Sequence, residues 1–148
     1  MSGRSAYGWG LRQQAFWSLV AQAAVVALPG LALAVAGPQG GLDRGWLLGT
    51  TLWALPRAAG ATVLWNTRRH PVRATWPTKA LFRVGAAACW ASAPTAVALL
   101  VGWALLALRD DGSALMAAAE LDSTVSILCL GVGVLAFGLG FRLGRPAK

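Results

Sequence analysis

Apolar residues gather in four long blocks along this chain, Ala15 to Ala36, Trp46 to Trp65, Val84 to Leu108 and Ser123 to Phe141, separated by stretches richer in charge or turn formers. Bilayer hydrocarbon is about 30 Å thick and takes about 20 helical residues to cross, so each block is long enough to span it. Backbone N–H and C=O groups in lipid must pair internally, which leaves helices or closed barrels. The blocks lack strict two-residue alternation, so the pattern predicts helices.

Between the blocks, Gly37 to Gly45 (GPQGGLDRG) and Arg109 to Asp122 (RDDGSALMAAAELD) read as connections, and residues 66 to 83 as a loop. Short connections predict two antiparallel hairpins in one all-α, four-helix transmembrane domain that takes up the whole chain.

Composition strengthens this picture. Of the 148 residues 57% are hydrophobic and 12% charged, against roughly 25% charged in soluble domains. So little polar surface cannot cover a globule in water.

Charge then orients the helices. Arg68, Arg69, Arg73, Lys79 and Arg83 crowd the central loop, with Arg4 and Arg12 before helix 1 and Arg142, Arg145 and Lys148 after helix 4. The other two connections carry only Arg44 and Arg109, and all five acids, Asp43, Asp110, Asp111, Glu120 and Asp122, fall on that opposite side. Cations stay cytoplasmic, so the basic loop and both termini are expected inside. On this reading no carboxylate lies within an apolar span, and the basic cluster locks topology beside anionic lipid headgroups. A net charge of +8 spread over three juxtamembrane segments points to lipid, not nucleic acid. Arg4 and Arg12 ahead of a run ending Ala34-Val35-Ala36 also resemble a cleavable signal, but the run exceeds the usual core of about 7–15 residues, so helix 1 is read as an uncleaved span.

Few residues offer chemistry. Cys89 and Cys129 are expected at different depths and unpaired. His70 stands alone in the basic loop, giving no metal set, and neither a phosphate loop, a nucleophile elbow nor a carboxylate pair is present. Neither catalysis nor a cofactor is expected. Arg57, behind Pro56 in helix 2, lies about 12 Å of helix from the inner boundary. It is expected to snorkel inward or to meet a partner. Gln22, with Ser18 one turn earlier, is expected to hydrogen-bond between helices. Ala87-Ala91-Thr95, Ala88-Ser92-Ala96, Gly133, Gly140 and Gly144 supply small faces for close packing, internal or with another protein; Gly131 and Gly138 form a second smooth strip. Arg57, Gln22, Gly133 and Gly140 are therefore the partner-binding candidates. Trp17, Trp46 and Trp65 are placed at interfaces, and Trp53, Trp90 and Trp103 deeper, as packing.

Gln22, Gly49, Leu55-Pro56, Trp65 with the basic loop, and Phe82-Arg83-Val84-Gly85 are spaced in a way that resembles the ATP synthase subunit I family, along residues 12 to 108. That resemblance implies a small inner-membrane protein that helps assemble or stabilise the ring of c subunits in a proton-translocating ATP synthase; a role in magnesium supply has been proposed for the family. The chain departs from the family pattern at Arg57, where Asn is usual, and after Gly85, where Ala86 to Cys89 replace a Glu and a following Lys. A buried Arg57 without an internal partner would suit the membrane-buried carboxylate of a c subunit. The expected function is a non-catalytic accessory protein. The alternatives are a structural subunit of another membrane complex and a small ion channel or transporter.

Overall fold

The computed structural model describes residues 9–36 and 44–145, so Arg4, Lys148 and most of the first connection lie outside the described residues. Within them every regular element is helical: α1 Trp9–Ala36, α2 Arg44–Thr51, α3 Ala54–Asn66, α4 Trp76–Ala91, α5 Ala93–Arg109 and α6 Ser113–Leu143. Three runs, Trp9–Leu33, Trp76–Arg109 and Ser113–Leu143, are long and apolar enough to cross a membrane. The outer surface agrees, with Leu55, Val63, Val101, Leu108 and Leu128 more than half exposed. An apolar exterior of this extent suits lipid or a protein partner.

The second apolar block is not one helix. It divides at Leu52 and Trp53 into α2 and α3, of 8 and 13 residues, each shorter than a span. Pro56 explains the break: proline lacks an N–H, and its ring crowds the carbonyl four residues back, on Leu52. The junction tightens instead, with Leu52 and Trp53 N–H donating to the Gly49 and Thr50 carbonyls, and Leu55 N–H to Leu52.

The third block begins earlier than expected and bends. Helix α4 starts at Trp76 with a proline in its first turn, where a missing N–H costs nothing, so Lys79 and Arg83 are helical, not loop, residues. It passes into α5 through Ser92, and Pro94 opens the new helix.

The fourth block extends backward through most of its supposed connection. Ala, Leu, Met and Glu in residues 114–121 are strong helix formers, and α6 runs unbroken for 31 residues. Asp110, in the left-handed region at φ 52, closes α5. Asp111 then accepts hydrogen bonds from the N–H and hydroxyl of Ser113, at 3.0 and 2.8 Å, and these hold its carboxyl below the usual range. Asp122, expected in the outer connection, is thereby a helix residue and fully buried.

Two apolar cores result. One gathers Val26, Leu47, Leu99, Trp103, Leu106 and Leu115; the other gathers Ala15, Leu19, Leu64, Phe82, Ala86 and Phe137. At the second core's end the Arg12 guanidinium donates to the Thr67 carbonyl and lies 5.6 and 4.9 Å from the Phe82 and Phe141 ring centres. Arg73 N–H closes the same end on the Gly144 carbonyl. The start of α1, the end of α3, the start of α4 and the end of α6 therefore meet at the cationic end of the molecule.

Candidate functional site

Between the two cores each long path through the bundle carries a polar side chain at the same level: Gln22 on α1, Arg57 on α3, Ser92 and Thr95 at the α4–α5 bend, and Asp122 on α6. All five are buried, Arg57, Ser92 and Asp122 completely. Each takes this place because helical spacing points it at the axis. On α6 the buried stripe Leu115, Ala118, Asp122, Ser126, Gly133, Phe137 and Gly140 passes straight through the acid.

Arg57 grips Asp122 with two nitrogens. Its Nη2 donates to Oδ1 at 2.6 Å and its Nη1 to Oδ2 at 3.1 Å. The third donor, Nε, reaches Gln22 Oε1 at 3.0 Å, and Nη1 also meets the Trp53 carbonyl at 3.2 Å. Asp122 Oδ1 accepts a further bond from the Thr95 hydroxyl at 2.6 Å. The Ser92 hydroxyl lies 2.6 Å from Gln22 Oε1 and 2.8 Å from the Cys89 carbonyl, and its single proton can be donated to either. The Gln22 amide nitrogen completes the set by donating to Ser18 Oγ at 2.8 Å and to the Cys89 carbonyl at 3.0 Å.

The planar fork of the guanidinium matches the carboxylate, so two full charges enter the bundle as a neutral unit. An isolated charge there would cost several kcal/mol, roughly 3–5 if its partner were removed. The side chains tie α1, α3, the α4–α5 bend and α6 into one arrangement. No family model, curated protein or solved structure matches this chain. The chemistry of the site rests on its own residues.

Arg57 thus has an internal partner, contrary to the expectation of an unpaired or snorkelling arginine, because the early start of α6 carries Asp122 into the bundle. Gln22 lies where interhelical hydrogen bonding places it, in the same network. Gly133 and Gly140 face α4: an added Cβ would stand 3.4 Å from Cys89 Sγ at the first and 2.6 Å from the Phe82 ring at the second. The candidates Arg57 and Gln22 are brought together; Gly133 and Gly140 belong to the packing beside them. Arg68 lies against Trp65, with its guanidinium carbon 4.2 Å from the ring centre, while Arg69, Arg73, Lys79 and Arg83 are exposed. Cys89 and Cys129 are free thiols. Trp103 is buried as expected, whereas Trp90 is 52% exposed.

Sequence reading missed Asp122 and Thr95. The seven-residue spacing from Leu115 to Asp122, and the four from Asp122 to Ser126, were the available signal. Among the described residues no three His, Cys, Asp or Glu side chains cluster as a metal site would need.

Proposed function

We propose that this chain is a non-catalytic membrane accessory protein that helps assemble or stabilise another membrane complex, and that this complex is the c-ring of a proton-translocating ATP synthase. In this reading the three long runs and the broken α2–α3 segment make four passages in two antiparallel hairpins. Both termini and the cationic end lie on the cytoplasmic face of a bacterial inner membrane, beside anionic headgroups.

The supporting observation is that the buried polar site closes on itself. Arg57 commits Nη1 and Nη2 to Asp122 and Nε to Gln22, so its bonding energy goes into fixing the helices. What faces outward is apolar helix surface such as Val97, Val101, Leu128 and Val132, suited to lipid and to neighbouring transmembrane helices. A rotor carboxylate would have to displace Asp122 to reach Arg57, so recognition is assigned to the outer faces. The rotor itself is suggested by the spacing of Gln22, Gly49, Leu55-Pro56 and Gly85.

The test is extraction of tagged protein in mild detergent and identification of what comes with it, paired with c-ring yield in a deletion strain. Recovery of c subunit and reduced ring assembly are expected. Recovery of another complex, with ring assembly intact, would instead assign a structural subunit of that complex.

One observation favours transport as a second reading. Ser18 and Gln22 connect the ion pair to a cleft of about 560 Å³ between α1 and the α4–α5 bend. Ion flux into proteoliposomes holding only this protein would support it.

A further inference from the structure

A second cleft, of about 710 Å³, runs along the seam of α3 and α6, a size in the range of small-ligand sites. It is deep as well as long. Leu19 of α1 and Cys89 of α4, behind the two front helices, line it, and the floor residues Cys89 and Ser126 are 3% and 0% exposed. Gly131 and Gly138 of α6 line it, and a Cβ at either would meet nothing within 4 Å. The Arg57–Asp122 pair ties the two walls together, so the cleft has a fixed width.

A helix about 10 Å across cannot reach a floor set behind two tethered helices; a single hydrocarbon chain can. The mouth adds a second requirement. Gly131, Leu135 and Gly138 recur at helical spacing, and one turn further the same stripe arrives at the exposed Arg142. Across the mouth, the lining residue Thr67 is followed by Arg68 and the exposed Arg69. Among the described acids, Asp110, Asp111 and Glu120 lie toward the other end, and Asp122 is held by Arg57.

We propose that this cleft holds one acyl chain of an anionic phospholipid, with its phosphate between Arg142 and the Arg68–Arg69 pair. Lipid tails are as apolar as the cleft, so the tail alone confers no preference. Selectivity comes from the headgroup charge at the cationic mouth. The site is independent of the accessory role: loss of partner binding with lipid retained, or the reverse, separates the two.

The experiment uses the full chain reconstituted in mixed phosphatidylglycerol and phosphatidylcholine, with retained lipid counted by native mass spectrometry. One phosphatidylglycerol per chain is expected, preferred roughly tenfold over phosphatidylcholine. The double variant Gly131→Leu, Gly138→Leu fills the cleft from positions with open space and should lose the lipid while keeping its helical circular dichroism. The double variant Arg69→Gln, Arg142→Gln should keep a lipid and lose the preference. Equal retention of both lipids by the parent protein overturns the proposal, as does an unchanged phosphatidylglycerol preference in the leucine variant. Cross-linking of Gly131→Cys to a second protein helix, in place of lipid, also overturns it. Should the leucine variant fail to fold, the glutamine variant decides, and an undiminished preference there sinks the idea.

Discussion

Arg57 and Asp122 are separated by 65 residues of chain and joined by two hydrogen bonds, and neither is tolerable without the other. Replacing one strands a full charge where water cannot reach, which costs about 3–5 kcal/mol, whereas replacing both with apolar groups of similar volume is close to neutral. Arg57→Met and Asp122→Leu should therefore each lower unfolding stability in detergent by that amount, and the double variant should recover most of the loss. Equilibrium unfolding followed by circular dichroism checks this, and additive losses in the double variant would refute the clamp. The arginine was conspicuous in the sequence. Its partner was not, because an acid one position before an apolar run looks like the end of a loop until the helix is seen to start at Ser113.

At the scale of elements, two prolines and a few glycines decide how the helices break and how closely they approach. Pro56 and Pro94 sit where α3 and α5 begin, but long membrane helices tolerate proline, so sequence alone did not separate a kink from a break. The glycines divide by neighbour. A Cβ at Gly102 would stand 2.8 Å from the Leu115 Cα, a backbone atom with little room to yield, whereas at Gly131 it would meet nothing within 4 Å. Gly102→Ala should cost about 1–3 kcal/mol through overpacking, and Gly131→Ala should gain up to about 1 kcal/mol from helix propensity. Thermal unfolding of the two variants side by side measures the contrast, and equal effects would mean that α5 and α6 are not in intimate contact.

Across the whole molecule, charge is sorted by end and polarity by layer. Arg12, Arg68, Arg69, Arg73, Arg142 and Arg145 gather at one end and Asp110, Asp111 and Glu120 at the other, with the Arg57–Asp122 layer between two apolar cores. In the orientation proposed above, the charge rule for membrane proteins places the cationic end in the cytoplasm. In a background with both native cysteines replaced, an impermeant maleimide should label Arg69→Cys only in inverted vesicles and Glu120→Cys only in intact cells; the reverse pattern would invert the topology. The glycine faces show a different limit of sequence reading. Gly131 and Gly133 both line the α3–α6 cleft, two residues apart on one helix, yet a Cβ would meet nothing within 4 Å at the first and stand 3.4 Å from Cys89 Sγ at the second, a distinction that belongs to the neighbouring helices.

Helical character, the extent of the apolar blocks and the crowding of cations into a few segments were settled by the chain on its own. Each follows from local composition and from the need to pair every backbone group in an apolar solvent. Which charges neutralise each other, where the helices break and which glycine faces inward were settled only by the folded arrangement. These depend on atoms brought within about 3 Å of one another across long separations, and no local pattern records that proximity.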